Sequence, residues 1–164
     1  MRTKQELRDM TCCFTGHRDI SEQDRRRITA KLEKTVTELI QQGYLYFGAG
    51  GARGFDALAA QTILNLRARY PGIKLILVLP CHNQTKKWNT KDKEEHEYLK
   101  TLANKVVYTS QEYAPDCMHK RNRHLVDNSS VCVCYLNKDG GGTDYTVGYA
   151  RLKGLKVINL AVQP

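Results

Sequence analysis

Six short apolar segments recur along this chain, at residues 11–14, 44–47, 74–79, 105–109, 131–136 and 156–160, and a helical stretch separates each from the next. Parallel strands cannot be joined by a tight turn; they need a crossover of a dozen or more residues, which is usually a helix. The strands show little polar alternation, the pattern of strands covered on both faces, and the run at 74–79 is the plainest case. The expected fold class is therefore α/β: a doubly wound, mainly parallel sheet of about six strands flanked by helices. A single domain is expected over residues 11–164, after a charged and partly disordered lead-in at 1–10.

The helices read from periodicity and punctuation. Ser21 is an N-cap candidate for a helix at 22–42, whose Ile28, Leu32, Val36, Leu39 and Ile40 form one apolar stripe, with Gly43 as its stop. Further helices are expected at 55–70, ended by Pro71-Gly72, and at 92–103, 118–128 and 144–152, the last closed by Gly154.

In sheets of this kind ligands bind beyond the C-terminal strand ends, at the point where the strand order reverses. Three such ends carry glycine and polar residues: Gly16-His17-Arg18, the stretch 48–54, and Gly140 to Thr143. The third is the centre of the functional reading. A buried strand feeds a glycine-rich turn and a helix N-terminus, where free backbone N–H groups and the helix dipole favour an anion. Gly141, Gly142 and Thr143 would cradle a phosphate, with Thr143 also capping the helix. Arg121 could reach the same pocket in fork geometry, and Asn122 could take a ribose hydroxyl. Gly16, His17 and Arg18 are candidates after the first strand. Gly50, Gly51, Arg53, Gly54 and Asp56 are candidates after the second, although their spacing is no strict GxGxxG. Trp88, in a basic loop with Gln84, could stack on a base. Each could instead be a tight turn, a solvated face or a packed aromatic side chain.

Composition narrows the partners. The net charge of +9 favours anionic ones: a nucleotide, a nucleotide-derived metabolite or single-stranded nucleic acid. No apolar run reaches the roughly 18 residues of a membrane span, and the N-terminus lacks the apolar core of a secretory signal. The six cysteines form no CxxC pair and read as reduced, buried thiols of a cytoplasmic protein. No metal motif is evident; Mg²⁺ could enter with a bound nucleotide.

Four motifs in order, TGHR at 15–18, GAGGARGFDALAA from Gly48, Gln84 with Trp88, and MxxRN followed by GGTxxTVxYA, resemble the YpsA-like branch of the SLOG superfamily, which unites DNA-processing protein A (DprA) with the Lonely Guy phosphoribohydrolases. The resemblance spans about residues 11–160. It implies a Rossmann-like fold, a pocket for a nucleotide or its derivative with a binding or sensing role, and a homodimer. Lonely Guy enzymes cleave an N-glycosidic bond with an Arg that Arg121 matches and a Glu whose position is held here by Thr146. An enzyme would then need Asp56 or Asp144 in its place, with Arg121 as the third catalytic candidate. DprA, which binds single-stranded DNA, resembles the chain at Gly50–Asp56 and at Arg121–Leu125.

Overall fold

The computed structural model describes residues 1–161. The last three residues of the expected domain lie outside them.

In chain order the elements are α1 (Lys4–Asp9), β1 (Thr11–Gly16), α2 (Glu22–Gln41), β2 (Tyr46–Ala49), α3 (Phe55–Arg67), β3 (Lys74–Leu79), α4 (Thr90–Leu102), β4 (Lys105–Tyr108), α5 (Cys117–Asp127), β5 (Val131–Tyr135), α6 (Gly141–Leu152) and β6 (Lys156–Asn159). All six strands are parallel, in the order β4-β3-β2-β1-β5-β6. The sheet is thus Rossmann-like and wholly parallel. The chain builds outward from β1 to β4, then returns to the other side of β1 to lay down β5 and β6. The reversal falls between β1 and β5, where Gly16 pairs with Tyr135 at the C-terminal end.

Two apolar layers sandwich the sheet. Alternate residues of β1 point opposite ways. Cys12 and Phe14 join the stripe of α2 (Ile28, Leu32, Val36, Leu39) and the buried side of α3 (Phe55, Ala59, Ile63, Leu66). Cys13 faces a smaller layer with Leu125 and Val126 of α5 and Val147 and Ala150 of α6. Phe14 lies between the rings of Phe47 and Phe55, at centroid distances of 6.3 and 6.5 Å. Such contacts add to the area term that drives burial.

The helix ends follow local chemistry. Ser21 accepts from the Asp24 N–H. At the other end of α2 the N–H groups of Gly43 and Tyr44 bond back to Ile40 and Leu39, a Schellman closure that needs the positive φ of Gly43. This closure uses Tyr44, so β2 begins at Tyr46 and runs to Ala49 rather than spanning 44–47. The segment at 1–10 is also more ordered than a charged lead-in. Thr3 and Glu6 form a capping box, each side chain accepting from the other's backbone N–H at 3.1 Å, and this starts α1.

The expectation that β3 is covered on both faces needs correction. Ile76 is only partly buried. Helices α2, α3 and α4 cover one face of the sheet, β5 and β6 included, while α5 and α6 serve the other face, leaving an open hollow beside β3.

All six cysteines are buried and unpaired, in keeping with reduced thiols. Burial pushes the Cys12 thiol well up and holds Cys134 at about 12. Thiolate, not thiol, is the nucleophile. With Ellman's reagent at pH 8, the folded protein should therefore show essentially no fast-reacting thiol and the guanidinium-unfolded protein all six. A fast-reacting native thiol would contradict this packing.

Candidate functional site

The C-terminal ends of β1 and β5 open into a cavity of about 410 Å³, within the roughly 300–1,000 Å³ of small-molecule sites. Each wall has a local origin.

The turn after β5 supplies Lys138, Gly140, Gly141, Gly142 and Thr143. Gly140 and Gly141 have φ of +81° and +85°, and Cβ atoms there or at Gly142 would meet nothing within 4 Å. The cradle is thus open space bounded by backbone. Helix α6 starts at Gly141, three residues earlier than periodicity suggests, and has no side-chain cap bond to its first-turn N–H groups. Thr143 does not cap it. It lies buried in the first turn, and the Asp144 carboxylate instead accepts from the Gly140 N–H at 2.9 Å.

Helix α5 supplies Arg121 and Asn122, which are 3% and 9% exposed and therefore not on a solvated helix face. The Arg121 guanidinium is held on two sides. Nη1 donates to the Gly50 carbonyl, and Nε donates to Asn122 Oδ1 at 2.6 Å. Nη2 reaches only the Met118 sulfur, at 3.7 Å. Among the described residues no carboxylate forms a direct ion pair with it. Burial lowers its pKa, offset in part by the charge of Asp56. A Cβ on Gly50 would lie 2.4 Å from Nη1, so only glycine lets the guanidinium lie against this loop.

Asp56, in the first turn of α3, is 6% exposed and accepts from the Ala52 N–H at 3.2 Å. Burial raises its pKa, against the opposing pull of Arg121 and Arg18. Gly16, His17 and Arg18 come from the end of β1. The His17 Nε2 accepts the Asn137 N–H, so the neutral ring carries its proton on Nδ1. The cavity is lined by three strong cations, Arg18, Arg121 and Lys138, against two carboxylates, Asp19 and Asp56.

The structure does not bring every candidate here. Gly51, Arg53, Gly54 and Trp88 line a separate hollow of about 190 Å³ on the far side of the β2–α3 turn. There Trp88 meets the edge of His96 at 5.3 Å, with the Arg53 guanidinium 6.0 Å from its ring. Arg53 pairs with Asp92, and Arg25 with Glu22, so this side is close to charge-neutral. Gln84 donates to the Gly50 carbonyl at 3.4 Å and so braces the loop that holds Arg121. Asp144 does not line the main cavity. The buried hydroxyl of Thr146 donates to the Gly142 carbonyl at 2.8 Å.

Sequence reading passed over two residues. His119 lines the cavity, packed against Tyr145 at 4.1 Å, and its buried Nδ1 has no protein partner. His96 is buried beneath the glycine turn, where Nδ1 donates to the Gly51 carbonyl at 3.0 Å. Only the position of His119 beside Arg121 could have marked it; His96 carried no local signal. Among the described residues no cluster of His, Cys, Asp or Glu is placed to hold a metal ion, and no helix is long and apolar enough to cross a membrane.

Burial lowers the pKa of both His17 and His96; Lys138 adds to the effect at His17. A depressed histidine favours the neutral form, so its contribution is full above the ordinary value of 6.5 and is lost as pH falls through the lowered folded value. The urea midpoint should stay level between pH 8 and 7 and drop on acidification below 6.5. The double variant His17→Gln/His96→Asn, which keeps one acceptor and one donor, should flatten that decline. An equally steep decline in the variant would locate it elsewhere.

Comparison with known proteins gives a consistent picture. The model of the YspA SLOG family matches residues 12–156. The SPbeta prophage-derived protein YoqJ of Bacillus subtilis is 27% identical over 138 residues, covering 76% of this chain and 81% of that protein. A UPF0398 protein of Bacillus pumilus is 25% identical over 143 residues, with 79% and 77% covered. Among solved structures, DNA processing protein A of Streptococcus pneumoniae superposes with a TM-score of 0.66 at 18% identity; 92% of this chain is covered, but only half of that one. The Helicobacter pylori protein of the same name, in a structure concerned with its single-stranded DNA binding mode, gives 0.54 at 16% identity, with 92% and 76% covered.

Proposed function

The chain belongs to the YspA SLOG family, and on that premise we propose that it binds, and so senses or sequesters, a nucleotide or nucleotide-derived ligand by its phosphate at the C-terminal ends of β1 and β5. The observation that carries this reading is Arg121: a buried guanidinium lining a cavity, fixed on two sides, with no carboxylate directly paired to it. Burying a charge is costly unless something compensates it, and a phosphate would do so in the geometry that the guanidinium fork prefers. The first-turn residues of α6, Gly141 to Thr143, line the same cavity, and a helix N-terminus favours the same charge. His119 Nδ1 and Asn122 stand ready for the rest of the ligand. A Mg²⁺ carried by the phosphate would find Asp19; Asp56 is already engaged by backbone N–H.

Two other readings make different predictions. A phosphoribohydrolase would release free base, and among the described residues Asp56 and Asp19 are the carboxylates lining the cavity that could serve it. Threonine at 146 cannot stabilise an oxocarbenium ion as a carboxylate does, and its hydroxyl is already used. The DprA likeness, with a relative whose structure concerns single-stranded DNA, supports an oligonucleotide ligand. That ligand would bind with length-dependent affinity and a steep salt slope.

A thermal-shift panel at fixed ionic strength, with AMP, ADP-ribose, NAD, cyclic dinucleotides and oligo-dT, separates these. At a hundred times its dissociation constant a ligand stabilises the fold by about 2.7 kcal/mol. A shift with a small nucleotide that disappears in Arg121→Ala is the expected result. A shift with oligo-dT alone, fading with salt, would overturn it in favour of the nucleic-acid reading.

A further inference from the structure

A second, more apolar hollow lies at the opposite end of the sheet from the cavity described above. It holds about 750 Å³. Its origin is topological. The crossovers of β1 to β4 all place their helices on one face, so on the other face α5 only partly covers β3 and β4: Ile76 and Val107 stay partly exposed and, with the buried Val78, form the floor. Leu125 of α5 forms one wall and Leu7 of α1 another. Helix α1 buries none of its side chains, and Leu7 is 38% exposed. A six-residue helix has little stability of its own, so its apolar side chain stands waiting for cover.

The rim is strongly of one sign. Lys4, Arg8, Lys74 and Lys105 surround the hollow, against one carboxylate among the described residues, that of Asp127, which accepts from the Tyr149 hydroxyl. We propose that this hollow docks an acidic amphipathic helix from a partner protein. The charge complement follows from the rim. A helix fits better than a strand added to the β4 edge because the floor consists of apolar side chains on the sheet face, Ile76, Val78 and Val107; apolar anchors at i, i+3 or i+4, and i+7 would fill it. A second copy of the chain is disfavoured, because a two-fold contact would set one basic rim against the other.

The test is a peptide-display selection on the purified chain, with binding of the enriched peptides measured by fluorescence anisotropy. The comparison variants are Lys74→Glu/Lys105→Glu, both exposed and safe for the fold, and Val107→Asp in the floor; thermal melts check that each is folded. Enriched sequences should be acidic, with apolar residues at helical spacing. They should bind the wild type at least tenfold tighter than either variant and bind Arg121→Ala as they bind wild type. The proposal fails if no peptide is enriched, if the enriched set is not acidic, or if the double variant binds equally well. It also fails if light scattering finds a dimer that Val107→Asp dissolves, which would make the occupant a second copy. Enhanced cis-parinaric acid fluorescence without peptide binding would equally overturn it, in favour of a small amphiphile.

Discussion

Arg121→Lys is expected to weaken binding of the nucleotide found in the panel by about a hundredfold, although it keeps the positive charge. Lysine is a point charge on a flexible stem, whereas the Arg121 guanidinium is already oriented by the Gly50 carbonyl and Asn122, with its remaining edge meeting only the Met118 sulfur. Losing one or two charge-assisted hydrogen bonds costs about 2–3 kcal/mol, and each 1.4 kcal/mol is tenfold in affinity. Calorimetric titration of wild type and variant reads the change directly, and urea unfolding of both controls for the fold. An affinity within threefold of wild type, in a folded variant, would remove Arg121 from the site.

The second large effect concerns the fold. Gly54→Ala should lower stability by about 3–5 kcal/mol, from a strained backbone costing roughly 1–3 and overpacking costing a similar amount. In a chain of this size that is a drop in Tm of about 10–15 °C. Gly54 has φ of +73° and ψ of −121°, and a Cβ there would lie 2.2 Å from the Arg18 carbonyl oxygen. The close approach exists because the Phe55 N–H donates to the His17 carbonyl, tying the start of α3 to the loop after β1. Gly142→Ala is the matched control. Its φ is ordinary and its Cβ meets nothing within 4 Å, so its stability should stay within about 0.5 kcal/mol. Equal melting curves for the two variants would show that the turn at Gly54 can relax.

How much was legible beforehand follows from the range of each interaction. The alternation of strands and helices was readable because crossover length and apolar periodicity are local. Helix α2 was readable from Ser21 to Gly43 for the same reason. The capping box of α1 was written as Thr3-x-x-Glu6 but carried little weight without an apolar stripe behind it. The early start of α6 at Gly141 depends on Asp144 reaching back to the Gly140 N–H, which periodicity does not report. Trp88 shows where local reading fails. It follows a strand end as the other candidates do, yet α4 draws it toward His96 and into a different hollow.

The sequence alone determined the α/β class, the parallel sheet and the three glycine-bearing strand ends, because backbone propensity, capping and hydrophobic period act over a few residues. Only the tertiary structure decided that β5 lies beside β1. That placement brings Arg18, Arg121 and the α6 N-terminus around one cavity, separates Trp88 from it, and leaves the far face of β3 open. Strand order and crossover face are set by packing between segments over a hundred residues apart, and no local pattern encodes which partner a strand will take.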